Sequence, residues 1–234
     1  MALNISELEG SDDVGCVTPM DCCLYPVRET SRMRDVLEFF WGMVGSRPIE
    51  WIAVACGILN VSLIIRRSIW NYPFGFAVVT LYFFIFWEYR LYSDALLQVY
   101  FFFIQFYGLY VWLNGRAYDG RVIVAPLGTG IFALYLGATA IVWLIVASLM
   151  AAYTNAAAPF WDAAVAALSV TAQFLLSRRY LQSWYLWIAV DVLAIGLFYT
   201  RGLEPTAALY VVFLGLAITG FFQWRRAAMK PLTT

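Results

Sequence analysis

The sequence predicts an all-α integral membrane protein: seven transmembrane helices in a 3+1+3 arrangement, with two parallel three-helix repeats flanking a single linking helix. Three observations predict it. The apolar residues fall in runs of spanning length, the basic residues alternate from one side of those runs to the other, and the chain matches itself at a fixed offset. Of 234 residues, 63% are hydrophobic, 18% aromatic and only 13% charged, the usage of a chain whose solvent is lipid.

A helix needs about 20 mainly apolar residues to cross the hydrocarbon layer. Uncharged runs cover residues 51–65, 68–87, 95–115, 122–161, 163–177 and 205–224, and a further one, within 180–200, is interrupted only by Asp191. The run 122–161 is too long for one span and contains the polar AAYTNAAAP. It divides into a helix at about 127–151 and another beginning near Pro159, a residue suited to the first helical turn.

Arg66 and Arg67 follow the first span, Arg116 and Arg121 the third, Arg178 and Arg179 the fifth, and Arg225, Arg226 and Lys230 the seventh, against Arg90 and Arg201 in the opposite loops. Cytoplasmic loops are the basic ones, so the C-terminus is expected inside and the N-terminus outside. Residues 1–48 carry four Arg and eight Asp or Glu, a net of −4, and lack the apolar core of a cleavable signal peptide. Within them DVLEFFWGMV reads as a short amphipathic helix on the membrane surface. Cys16, Cys22 and Cys23 also lie in this tail and Cys56 in the first span; two tail thiols could pair on an oxidising face or all stay free.

The chain repeats at one constant offset without gaps. Arg66 matches Arg178, Arg67 Arg179, Ala77 Ala189, Phe86 Phe198, Gly108 Gly220 and Trp112 Trp224, among 13 identities between positions 66 and 112 and their counterparts. Apolar bias inflates such counts, but paired arginines, glycines and tryptophans are not apolar filler. Three is odd, so a second copy of a three-helix unit inserts in the same sense only if one extra helix intervenes. The expected organisation is an outside tail 1–48, a first repeat 49–115, a linking helix 122–154, a second repeat 159–226 and a cytoplasmic tail 227–234. Parallel repeats related by an axis along the membrane normal are a transporter arrangement, with the substrate site between them.

Candidate site residues are the polar and aromatic groups inside these spans. Trp184, Trp187 and Asp191 are spaced i, i+3, i+7 and share one helical face. A charge at the bilayer centre costs about 2.5–3.5 kcal/mol even on the lenient insertion scale, so Asp191 should face a polar interior. Two indoles and a carboxylate suit a flat cationic ligand; the plainer alternative is an acid that hydrogen-bonds neighbouring helices, with the indoles as packing. On the third span Asp94, Gln98, Gln105 and Trp112 form a second stripe, with amides able to bind hydroxyls or a carboxamide or to join helix to helix. Gln173 and Asn60 carry the same two readings. In WNYPFG, residues 70–75, Asn71 is a candidate site residue whose simpler role is to cap the second helix. Glu50 and Asp162 start equivalent helices and answer their positive dipole ends.

Several classes are excluded. Lys230 in the tail is the only lysine, so there is no retinal Schiff base; there is no histidine, no CxxC and no P-loop, which removes zinc and haem sites, His-based relays and nucleotide hydrolysis by this chain. No cofactor, metal site or catalytic residue is expected. A membrane enzyme would need a nucleophile and base, of which none stands out; a sensor would bind ligand without moving it.

RRSIWNYPFGFAVVTLYFFIFWEYRLYSDALLQVYFFFIQFYGLYVWLNG, SWYLWIAVDVLAIGLFYTRG and LYVVFLGLAITGFFQWRR closely resemble the PnuC family of bacterial vitamin transporters, over roughly residues 45–228. The resemblance implies a bundle similar to a full-length SWEET, a homotrimer in the lipid bilayer of the inner membrane, and no nucleic-acid partner. It implies a small-molecule vitamin substrate, nicotinamide riboside first and thiamine or riboflavin as alternatives, moved by facilitated diffusion and trapped by a cytoplasmic kinase. The family's W-x-x-W pattern falls on Trp184 and Trp187.

Overall fold

The computed structural model describes residues 48–88, 92–115, 120–125, 127–154, 158–202 and 204–229. The acidic tail, with its three cysteines and its amphipathic segment, lies outside them. Among the described residues seven helices follow one another: α1 Pro48–Ile65, α2 Asn71–Glu88, α3 Tyr92–Asn114, α4 Thr129–Tyr153, α5 Pro159–Ser177, α6 Ser183–Thr200 and α7 Glu204–Ala228. The long uncharged run divides as its composition demands: α4 ends where Thr154 returns its backbone N–H and its hydroxyl to the Met150 carbonyl, and α5 opens on Pro159.

Five of the seven, α3 to α7, are long and apolar enough to cross a membrane among the described residues. The apolar part of α1, Trp51–Ile65, is shorter, and α2 carries Asn71, Tyr72, Pro73 and Glu88 at its ends. The expected seven spans are thus seven helices, of which five meet the length and apolarity of a span by themselves. Large apolar side chains point outward along α4, including Ile131, Leu134, Ile141 and Ile145, as lipid-facing surface does. The chain is a multi-pass membrane protein.

Within each group neighbours in sequence are neighbours in space: α1 packs on α2 and α2 on α3, α5 on α6 and α6 on α7. Between the groups α3 packs on α5 and α1 on α7, while α4 lies against α5. That last contact is fixed by the Thr139 and Thr171 hydroxyls at 2.7 Å and by the Trp143 indole N–H, which donates to Phe160 O at 2.7 Å.

The offset that carries Arg66 onto Arg178 reappears in the geometry. Trp112 Nε1 donates to Leu176 O at 3.3 Å, and Trp224 Nε1 donates to Ile64 O at 3.1 Å; donors and acceptors alike are related by that same step along the chain. Tyr72 meets Trp112 edge-on with centroids 5.6 Å apart, and Trp184 meets Trp224 edge-on at 5.6 Å. A Cβ on Gly108 would lie 2.8 Å from the Tyr72 hydroxyl, and one on Gly220 would run into the Trp184 ring. The paired tryptophans and glycines therefore hold equivalent joints.

Arginine pairs end α1 and α5. Arg67 and Arg179 sit in left-handed backbone, φ 57° and 66°, at the place where a helix usually puts glycine. The bonds Arg67 N–H to Ile64 O and Ser68 N–H to Leu63 O recur as Arg179 to Leu176 and Tyr180 to Leu175, the pattern of a Schellman turn. The guanidinium is what glycine lacks. Arg67 Nη1 donates to Val122 O at 3.1 Å, and Arg179 Nη1 donates to Gly115 O at 3.1 Å and Ile123 O at 3.3 Å. Val122 N–H and Ala125 N–H in turn donate to the Arg67 and Arg179 carbonyls, so the segment before α4 is strapped across both turns. At the other end of the bundle Asp162, the first-turn acid of α5, pairs with Arg201 at 2.7 Å.

Candidate functional site

Three helices of the first group bring Asn60, Gly75 and Gln105 together. A Cβ on Gly75 would collide with the Gln105 amide and lie 3.3 Å from Asn60 Oδ1, so the missing side chain on α2 is what admits both amides. Gln105 is 5% exposed. Asn60 Oδ1 is buried with no hydrogen-bond partner, a state that costs about 1–3 kcal/mol unless something engages it.

On α6 the stripe of Trp184, Trp187 and Asp191 turns inward. Asp191 is 5% exposed and has no hydrogen bond or ion pair among the described residues. Trp184 is nearly fully buried, wedged over Gly220 and against Trp224. Trp187 is half-buried and packs against both apolar clusters, one holding Trp112 and Trp224, the other Ala172 and Leu175. Both indole N–H groups are buried without a partner. Three of the orphaned polar atoms thus belong to residues that the sequence marked as candidates.

Asn71 is placed differently. Its amide donates to Ser68 O at 2.6 Å, closing the turn into α2, and Ser183, its counterpart in the second half, makes the same bond to Tyr180 O at 2.8 Å. The side chain is a turn residue, as its simpler reading has it, though it donates to a carbonyl instead of accepting from a helix N–H. Gln98 and Gln173 are half-buried on α3 and α5, and neither makes a side-chain hydrogen bond among the described residues.

Tyr210 was not singled out by its sequence. It stacks on Phe198 of α6 at 5.3 Å, against the helix that also carries Asp191. Gly75 was missed as well. The signal that could have found it is the offset itself: Gly75 aligns with Trp187, Asn60 with Ala172 and Gln105 with Ala217.

A family model described as nicotinamide mononucleotide transporter matches residues 47–226. The chain belongs to this family, that of PnuC. The nicotinamide mononucleotide transporter family consists of membrane transporters, not enzymes. The relatives include the nicotinamide riboside transporter PnuC of Escherichia coli K12, 27% identical over 207 residues covering 78% of this chain and 87% of that one. Its namesake in Neisseria mucosa is 27% identical over 197 residues, 78% and 75% of the two chains. The riboflavin/roseoflavin transporter RibM of Streptomyces davaonensis is 27% identical over 171 residues, 72% and 80%. The crystal structure of the vitamin B3 transporter PnuC superposes with a TM-score of 0.69 at 23% identity, covering 83% of this chain and 87% of that chain. The helical fold is therefore one that a transporter of this family adopts.

Proposed function

We propose that this chain carries nicotinamide riboside across the bacterial inner membrane by facilitated diffusion, with its N-terminus outside and its C-terminus inside, and that a cytoplasmic kinase traps the vitamin by phosphorylating it. Family membership supports transport, and relatives bearing that substrate's name support the cargo. The single observation that carries the assignment at the level of residues is the unpaired Asp191 on the same buried face as two indoles whose N–H groups have no partner.

Nicotinamide riboside is a flat pyridinium joined to a ribose and bearing a carboxamide. Trp187 stacks on the ring, a cation–π contact worth about 2 kcal/mol when water is excluded. Asp191 offsets the positive charge. The Trp184 and Trp187 N–H groups and Asn60 Oδ1, with the Gln105 amide beside it, meet the carboxamide and the hydroxyls; Gln98 and Gln173 serve the same chemistry nearer the contacts between halves. The site lies between two parallel three-helix repeats, α1–α3 and α5–α7, with α4 as the linking helix of a 3+1+3, SWEET-like bundle. Repetition of indole bonds, arginine turns and glycine joints at one offset supports that arrangement. By the same family reading the protein is a homotrimer.

Riboflavin is the second reading, favoured by the relative that carries its name. The test is uptake into proteoliposomes of nicotinamide riboside, riboflavin and thiamine, with and without an imposed pH gradient. Saturable uptake of nicotinamide riboside alone, indifferent to the gradient, is the expected result; uptake of either other vitamin reassigns the cargo, and gradient-driven uptake overturns simple facilitation.

A further inference from the structure

The segment before α4 is held on the α3–α5 side of the bundle and reaches across to the end of α1. Ile123 N–H donates to Gly115 O at 2.9 Å, Ala125 N–H to Arg179 O at 2.9 Å and Gln182 Nε2 to Leu127 O at 2.9 Å, after which α4 packs on α5. Arg179 Nη1 reinforces these anchors through Gly115 O and Ile123 O. At Val122 the chain meets the opposite turn, where its N–H donates to Arg67 O at 3.1 Å and its carbonyl accepts from Arg67 Nη1 at 3.1 Å.

Val122 and Val124 are buried in the apolar cluster that holds Ile64 of the first half and Trp184 and Trp224 of the second, with Trp187 packed against it. From this placement we infer that residues 120–125 are a gate. They form a flap anchored at Arg179 and latched at Arg67, which closes the arginine-rich mouth of the passage between the halves and lifts at Val122 to let the vitamin through. The inference rests on the reading in which the vitamin path runs between the two three-helix groups.

A fixed brace does not call for an arginine at the latch. Position 67 has left-handed backbone, which glycine adopts without strain. The turn alone therefore favours glycine, and the arginine adds a bond to the flap that can break and re-form with the turn intact. The flap also has a pivot and room to swing. Gly120, two residues before Val122, has φ 72° and nothing within 4 Å of where a Cβ would stand. A cavity of about 670 Å³ lies against the latch, lined by Arg67, Ser68, Gly120, Arg121 and Gln223, so Val122 lifts into open space. Lids are drawn from segments whose local opening costs least, and an irregular connector tied by separate hydrogen bonds is such a segment. Because the seat of the flap and Trp187 share one apolar cluster, a ligand against Trp187 changes what the flap closes on.

Val122→Cys reports the lifting, since the native side chain is 1% exposed. The purified full-length protein in nanodiscs is treated with N-ethylmaleimide, and labelling at residue 122 is followed by peptide mass spectrometry, which separates it from the native cysteines. Labelling is expected to run at least threefold faster with Arg67→Gly added, which keeps the turn and deletes the latch, and to change less than twofold with Arg178→Gln. Saturating vitamin is expected to change the labelling rate at least threefold. In proteoliposomes Arg67→Gly is expected to change the uptake rate at least threefold while the Kd stays within twofold, a split that loss of a mere brace does not produce. Labelling or uptake indifferent to Arg67→Gly, or labelling indifferent to a vitamin that the same protein carries, overturns the gate. If none of nicotinamide riboside, riboflavin and thiamine is taken up, the cargo assignment fails and the effect of Arg67→Gly on labelling alone decides the gate. Should Arg67→Gly not fold, Arg67→Asn, which also tolerates left-handed backbone, takes its place with the same expected outcomes.

Discussion

Trp187 on α6 stands where Gly75 stands on α2, at the corresponding position of the first half, so one half of the molecule puts an indole where the other has no side chain. Around Gly75 the space is taken by Gln105 and Asn60, whose counterparts Ala217 and Ala172 are small. At positions one repeat offset apart, the chain thus has an indole on α6 and, on α2, a glycine flanked by two amides.

Replacing Trp187 by Ala is expected to weaken nicotinamide riboside binding more than tenfold, a loss of about 1.4 kcal/mol or more. Calorimetry on the purified variant measures it. An unchanged affinity removes Trp187 from the site.

Asp191→Asn keeps the shape of the side chain and removes its charge. Affinity for the pyridinium nucleoside is expected to fall at least tenfold, while any residual binding of an uncharged vitamin changes less than threefold. Equal losses for both would mean that Asp191 serves the fold and not the charge of the cargo.

Two glycine substitutions should separate site from scaffold. Gly75→Ala crowds the Gln105 and Asn60 side chains, whose ends can shift, so it is expected to cost binding about tenfold with little change in melting temperature. Gly220→Ala meets the rigid, buried ring of Trp184 and should lower the melting temperature by several degrees, as overpacking of about 1–3 kcal/mol does. The reverse pattern would exchange the roles assigned to the two joints.

Trp112→Phe and Trp224→Phe each delete one indole N–H and leave Leu176 O or Ile64 O without it. Each should cost about 1 kcal/mol. Thermal unfolding of the two variants is expected to give closely similar shifts; a difference of more than about twofold would count against equivalent joints.

Much of the architecture was readable because the residues that repeat are those with few substitutes. Arg67 and Arg179 hold left-handed backbone and make guanidinium bonds, Gly108 and Gly220 sit where a side chain has no space, and Trp112 and Trp224 each donate an indole N–H to a helix-end carbonyl. The α6 stripe is legible because a carboxylate in an apolar run stands out, and the structure adds that Asp191 and Trp184 are buried. An amide at a helix start reads the same whether it faces a ligand or a turn, and what the structure adds for Asn71 is its bond to Ser68 O. Asn60 and Gln105 stand out in the sequence as polar groups in apolar spans, whereas Gly75 does not, because counting identities passes over the positions where the halves differ. The expectation of seven spans rested on uncharged runs, and α1 and α2 show that lack of charge alone does not supply a full apolar length.

The exchange of indole bonds, Trp112 to Leu176 and Trp224 to Ile64, means that neither three-helix group is finished without the other. Each supplies the donor that caps a helix end of its opposite, which is the relation between subunits of a twofold dimer. Two identical half-length chains could satisfy both needs, but only at concentrations that hold them together. Joining them in one polypeptide removes that dependence and lets each copy mutate alone. A dimer of identical halves must carry either two glycines or two tryptophans at the place of Gly75 and Trp187. A covalent tandem can carry one of each, as this chain does.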